Sequence, residues 1–268
     1  MEINRNNINE IIVKCGAKPD KDYGQNFLID PNISSRIVES LKIVEKDNVL
    51  EIGPGLGSLT HFLSLQTKEI TVVDIDRRMC EFISYIYPDV NIINDDIRKV
   101  DISNYDLIVG NLPYNITTEL VEFLLTNATK AKRLVLMCQL EAFDRFNDLS
   151  GASYGPLSVY LHLLGDVKKI FNVKKGCFYP VPKCNSVVFE ITLKNLTKQE
   201  RETYYQVYKL TKQLFLARRK TINNNLSSYL SSKEKCLIVL NKLGIDPLTR
   251  PEQIPFNKYL ELYNTLKY

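Results

Sequence analysis

The chain has 268 residues, of which 44% are apolar and 25% charged, with a formal net charge of +4. That composition fits a soluble globular protein of one large domain, or one medium domain with a smaller partner. No apolar run approaches the roughly 18–20 residues that cross a bilayer, and the first residues (Met1-Glu2-Ile3-Asn4-Arg5) lack the apolar core of a signal peptide. The expected setting is therefore the cytoplasm, with no membrane. Six cysteines, at 15, 80, 138, 177, 184 and 236, form no CxxC pair, so they are expected to be reduced and no metal centre is expected. The two histidines, His61 and His162, fall in helix-like or apolar runs, which disfavours His-dependent acid–base chemistry.

Residues 1–30 read as an extension of mixed character. Asp30-Pro31-Asn32 opens a helix with Ile33, Ile37, Val38 and Leu41 on one face. Strands are expected at Val49–Ile52, Ile70–Asp74, Val90–Ile93, Leu107–Val109 and Arg133–Met137. Helices are expected between them, at 58–65, 77–87 and 118–125. Strand alternating with helix at this rhythm argues for a parallel, doubly wound sheet. Val167–Val173 and Ser186–Leu193 read as two more strands, forming an antiparallel, hairpin-like edge. From about Thr197 the pattern is helical, with segments at 199–217, 221–230, 233–243 and 256–266. A boundary is placed near residue 195. The expectation is an α/β domain over residues 1–195 and a smaller all-helical domain over 196–268.

The run Glu51-Ile52-Gly53-Pro54-Gly55-Leu56-Gly57 leads from a strand into a helix, and its glycines let the backbone approach a ligand. Ser58 stands where the dinucleotide fingerprint wants its last glycine, so this turn alone is a weak signal. Asp74 ends the next strand, 21 residues after Gly53, where a carboxylate can accept both ribose hydroxyls. Asp96 ends the third strand, where it can meet an adenine amine. Either aspartate alone can be a plain strand-end cap, a reading that their joint spacing disfavours. Three acids (Glu51, Asp74, Asp96), with no Lys or Arg in the turn, suit a ligand that lacks phosphates and carries a cationic sulfonium. S-adenosyl-L-methionine is that ligand.

Asn111-Leu112-Pro113-Tyr114 follows the apolar run 105–110. Asparagine accepts through its side-chain oxygen, the residue before proline is held extended, and tyrosine offers a flat face. Together they can clamp a planar ring bearing an exocyclic amine. The competing reading is an ordinary turn.

These stretches resemble the ribosomal RNA adenine dimethyltransferases, the KsgA family. The resemblance rests on Gly24-Gln25-Asn26-Phe27-Leu28, the glycine turn, Asn111–Ile116, Gln139-Leu140-Glu141, Tyr154–Val159, Phe178–Lys183, Arg218-Arg219-Lys220-Thr221 and Leu243–Pro247. It implies a Rossmann-like class I methyltransferase sheet with a helical C-terminal domain. It also implies dimethylation of N6 on two adjacent adenosines in a hairpin loop near the 3′ end of small-subunit rRNA. Matched motifs imply cofactor contacts from Asn26, Leu28, Gly53, Asp74, Asp96 and Asn111, to which the glycine turn adds Glu51 and Gly55. They imply Phe178 as a second stacking face opposite Tyr114. Asp74 is shorter than the family's frequent glutamate, and Leu140, Pro156 and Val181 also depart from the usual pattern.

From Lys194 to the end the chain carries 14 Lys and Arg against 6 Asp and Glu, a net of +8, which leaves −4 for the rest. Such asymmetry points to a polyanion. Lys174, Lys175 and Lys183 flank Phe178, and Arg218, Arg219 and Lys220 join Lys209 and Lys212 in the helical region. Contacts of this kind supply affinity for phosphates. The expected partner is small-subunit rRNA in a pre-30S particle, met by a monomer. Two other readings are an Erm-type large-subunit rRNA methyltransferase and an RNA-binding assembly factor that needs no catalysis.

Overall fold

The computed structural model describes residues 1–16 and 25–267. Gly24, which begins the Gly24–Leu28 motif, and the stretch 18–23 before it lie outside them. The chain divides into two compact units, one of Met1–Ala142 with Lys168–Leu193, the other of Phe143–Val167 with Lys194–Tyr268.

The first unit begins with α1 (Ile8–Cys15), β1 (Phe27–Leu28) and α2 (Pro31–Ser40). Next come β2 (Val49–Ile52), α3 (Thr60–Ser64), β3 (Ile70–Asp74), α4 (Arg77–Ile86) and β4 (Asn91–Asn94). Then follow β5 (Leu107–Asn111), α5 (Thr117–Asn127) and β6 (Arg133–Gln139). The chain continues through α6 (Leu140–Asn147) and α7 (Pro156–Leu164) to β7 (Gly165–Val173), β8 (Phe178–Tyr179) and β9 (Ser186–Leu193).

Seven strands make one sheet in the order β4-β3-β2-β5-β6-β9-β7. The first five are parallel, and β9 runs antiparallel to β6. Every residue of β2 is buried, as a central parallel strand covered on both faces requires. The expected edge strands are indeed neighbours, but they do not form a simple hairpin. Between them in sequence lies β8, which leaves the sheet and pairs with β1, Phe27 facing Tyr179 and Leu28 facing Phe178.

Local chemistry sets the helix starts. Asp30 accepts from the backbone of Asn32 and Ile33 at 3.1 and 3.3 Å, with Pro31 in the first turn of α2. Asp76 caps α4 by accepting from Arg78 N–H at 3.1 Å. The N-terminal extension is part of the fold: Ile3, Ile8 and Ile11 are buried and α1 packs on α4. With Ile37, Leu63, Met79 and Ile83 they belong to the core of this unit, where burying one such side chain contributes about 1.5–3 kcal/mol.

The second unit holds α7 with α8 (Lys198–Leu214), α9 (Ile222–Leu230), α10 (Lys233–Lys242) and α11 (Phe256–Lys267). A Thr197–Glu200 capping box starts α8. Tyr154, Val159, Leu214, Phe215, Leu226 and Tyr259 build its core. This unit includes Phe143–Val167, which a division at residue 195 assigns to the first domain. The reason is that α7, an almost wholly buried apolar helix, packs along α8 and α11.

Candidate active site

Parallel pairing puts three strand ends side by side. Ile52 is in register with Val73 on one side and with Gly110 on the other. Gly53, Asp74 and Asn111 are therefore one step further on, where the chain turns from the β2-β3-β4 half of the sheet to the β5-β6 half. Open α/β sheets bind ligands at such a switch point. A cavity of about 310 Å³ occupies it, lined by Asn26, Leu28, Glu51, Gly53, Gly55, Asp74, Asp96, Asn111, Leu112, Pro113 and Tyr114 among others.

The glycine turn adopts left-handed backbone at Gly53 (φ 64°) and Gly55 (φ 53°). A Cβ at Gly55 would lie 3.1 Å from the Phe27 ring, so the turn also needs a missing side chain. Gly110 allows the close approach of β5 to β2: a Cβ there would lie 2.9 Å from the Ile52 carbonyl oxygen.

Asn111 joins two parts of this wall. Its Nδ2 donates to the Asn26 carbonyl at 3.1 Å, while its Oδ1 is buried with no hydrogen-bond partner among the described residues. Buried acceptors are rarely left unpaired, and those that are call for a functional explanation. Leu112 is buried and donates its N–H to the Met137 carbonyl at 2.9 Å. Pro113 accepts from the Thr117 hydroxyl at 2.9 Å, which ties the turn to the start of α5. The half-buried Tyr114 exchanges a 2.8 Å hydrogen bond with the Ser186 hydroxyl on β9, and burial raises its pKa. Ser58, which the sequence offered only as a departure from the dinucleotide fingerprint, donates to the Leu28 carbonyl at 2.5 Å and so holds β1 at the cavity.

The acids differ in state. Glu51 is 1% exposed; burial pushes its carboxyl up to about 8, against a 2.6 Å hydrogen bond from Thr60. Asp74 is pushed up to about 6 by burial, although its carboxylate accepts from Asp76 N–H at 2.9 Å and Gly55 N–H at 3.4 Å. Asp96 is held low by hydrogen bonds from the Arg98 guanidinium. Both cap readings are met locally, since Asp74 caps the turn at Asp76 and Asp96 caps the turn at Arg98. Both residues nevertheless line the cavity. Asp76, Gln25 and Arg98 were not singled out in the sequence, yet Gln25 and Arg98 line the cavity, and Gln25 Nε2 donates to Asp76 at 3.0 Å. Position in the Gly24–Leu28 motif was the one signal for Gln25.

Two expected site residues are engaged elsewhere in this structure. Phe178 is not among the residues that line the cavity; it is 1% exposed and packs in the core beside β1. The short β1–β8 pairing, invisible to periodicity, is what buries it. Arg218 is not a free cation: Nη2 donates to the carbonyls of Ala152 and Tyr154 at 2.9 and 2.8 Å, with Gly151 at 3.4 Å. Arg219, Lys220, Lys174, Lys175 and Lys183 are exposed.

A neutral-to-acidic, glycine-floored cavity with one unpaired buried acceptor suits an amine-bearing, non-phosphorylated nucleoside ligand. Comparison with known proteins agrees. The model of the family described as Ribosomal RNA adenine dimethylase matches residues 16–268. A Ribosomal RNA small subunit methyltransferase A from Malacoplasma penetrans is 38% identical over 248 residues, covering 90% of each chain. One from Macrococcus caseolyticus is 34% identical, over 96% of this chain and 93% of its own. Among solved structures, a dimethyladenosine transferase from Plasmodium falciparum superposes with a TM-score of 0.79 at 26% identity, over 90% of this chain and 97% of its own. The 23S rRNA methyltransferase ErmE shares the fold, with a TM-score of 0.70 at 23% identity, over 91% of this chain and 100% of its own.

Proposed function

This chain belongs to the ribosomal RNA adenine dimethylase family, and on that premise we propose that it dimethylates N6 of two adjacent adenosines in a hairpin loop near the 3′ end of small-subunit rRNA. The observation that carries the reading at the level of atoms is Asn111 Oδ1, buried and unpaired among the described residues, at a cavity wall shared with Tyr114.

An adenine N6 amine is a poor nucleophile because its lone pair is delocalised into the ring. Two acceptors for its hydrogens, Asn111 Oδ1 and the Leu112 carbonyl, favour a pyramidal nitrogen with a localised pair. Pro113 keeps Leu112 extended so that its carbonyl projects. Tyr114, tethered through Ser186, presents a flat side to a base taken out of its stack. Phe178 contributes as part of the β1–β8 wall that carries Leu28, not as a second face.

S-adenosyl-L-methionine, when bound, supplies a methyl group already activated on a sulfonium. Asn26, Leu28, Gly53 and Gly55 form its floor, Asp74 takes the ribose hydroxyls, Asp96 the adenine amine, and the Glu51 carboxyl lines the same pocket. The contribution of these residues is alignment, which can lower a barrier by roughly 7–11 kcal/mol. Lys174, Lys175, Lys183, Arg219 and Lys220 bind RNA phosphates. The substrate is a pre-30S particle in the cytoplasm, and the enzyme acts as a monomer.

The test is incubation of the purified protein and methyl-labelled S-adenosylmethionine with immature small subunits and with large subunits, followed by mapping of methylated adenines. Label on two adjacent adenines of small-subunit rRNA is the expected result. Label confined to large-subunit rRNA would move the chain to the Erm-type reading. No label on either would leave the non-catalytic assembly factor.

A further inference from the structure

Beyond β4 the chain makes a tight turn at Ile97–Lys99, which Asp96 starts by accepting from Arg98 N–H at 3.0 Å. The Arg98 side chain then folds back on the same carboxylate. Its Nε is 3.0 Å from Oδ1 and 3.1 Å from Oδ2, and its Nη2 is 2.6 Å from Oδ2. Its remaining nitrogen, Nη1, lies 3.5 Å from Glu119 Oε2 on α5, the helix that follows Asn111–Tyr114. Asp96 and Arg98 both line the cavity, and the Asp96 side chain is 17% exposed.

An exposed arginine–carboxylate pair would ordinarily contribute little. This one differs because its carboxylate faces the ligand site. A carboxylate offers about four lone-pair positions. Three hydrogens meet them, from Arg98 N–H on Oδ1, from Nε shared between Oδ1 and Oδ2, and from Nη2 on Oδ2, leaving room for one more donor. We propose that Arg98 is a positioning residue for the methyl donor: its fork, moored to α5 through Glu119, turns the open lone pair of Asp96 toward the exocyclic amine of the donor's adenine. The planar guanidinium matters here, because only a fork engages both oxygens at once and stops the carboxylate from rotating. This inference rests on the reading of Asp96 as the acceptor for that amine.

The experiment measures binding, not turnover. Calorimetry compares S-adenosylhomocysteine with its 6-deamino analogue, which carries hydrogen at C6, on the intact chain and on Arg98→Ala, Arg98→Lys, Glu119→Gln and Asp96→Asn. Arg98→Ala should weaken S-adenosylhomocysteine roughly five- to tenfold and leave the analogue unchanged, the size expected for one misaligned hydrogen bond. Arg98→Lys, which retains charge without the fork and preserves the fold, should show most of the same selective loss. Glu119→Gln should show a smaller loss in the same direction. Equal weakening of both ligands by the Arg98 variants, or no weakening, would overturn the proposal. If Asp96→Asn discriminates between the two ligands as well as the native protein does, the reading of Asp96 fails. If Asp96→Asn weakens S-adenosylhomocysteine selectively and neither Arg98 variant does, the Arg98 inference alone fails.

Discussion

Asn111 spends its amide nitrogen on the Asn26 carbonyl, 3.1 Å away, and that bond orients its oxygen as an unpaired buried acceptor. The two asparagines, 85 positions apart, thus act as one device. Asn111→Ala removes both the acceptor and the strut to β1. Single-turnover methylation should fall by about a hundredfold, the effect of misplacing a reacting group by about 1 Å. Asn111→Asp should fare no better, because a carboxylate cannot donate to Asn26 and would face its carbonyl.

Glu51 makes stability fall as pH rises. Its folded pKa of about 8 lies above the usual value of 4.5, so the folded state holds a proton that the unfolded chain releases between them. The stabilisation is complete below the lower value and is lost as pH climbs through the upper one. Glu51→Gln keeps an acceptor for Thr60 and removes the titration. Thermal melts from about pH 6 to about pH 9 should show the native protein losing Tm relative to the variant; parallel curves would reject this.

Asp74 should make donor affinity depend on pH in the opposite sense. Ribose hydroxyls need the carboxylate, and this carboxyl titrates near 6. The Kd for S-adenosylhomocysteine should rise as pH falls below about 6, approaching tenfold per unit when protonation dominates. Asp74→Asn should bind more weakly and lose that slope. An unchanged slope in the variant would assign the effect elsewhere.

Arg218 and its neighbours should separate by readout. Arg218 holds the carbonyls of Ala152 and Tyr154, so Arg218→Ala should cost about 1–3 kcal/mol of stability, with a lower Tm. Arg219→Ala and Lys220→Ala should leave Tm unchanged, weaken RNA binding, and reduce the salt slope by about one for each phosphate no longer neutralised. A salt-slope change in Arg218→Ala without a change in Tm would return it to the RNA surface.

Gly110→Ala should damage the site from behind. Its Cβ would come within 2.9 Å of the Ile52 carbonyl, between the two strands that carry Gly53 and Asn111. The expected cost is about 1–3 kcal/mol, together with weaker donor binding. Full stability and affinity in this variant would show that the strands can part freely.

Much of this was legible in the amino-acid order because it is local. The strands Val49–Ile52 and Ile70–Asp74 are found as expected, since a buried parallel strand is a short apolar run between polar turns. The glycine turn, the acids at the strand ends and Asn111–Tyr114 are contiguous motifs, and parallel pairing brings all of them to one cavity. What only the tertiary structure decided depends on partners far away in sequence. The family resemblance implied Phe178 as a second stacking face opposite Tyr114; pairing with Leu28, 150 positions earlier, places it in the core. Arg218 read as one of a basic cluster for RNA phosphates, and carbonyls more than 60 positions away hold its guanidinium. A side chain's chemistry is written in its identity; whether that chemistry is free to act is set by which distant backbone groups and side chains come within hydrogen-bond or van der Waals reach.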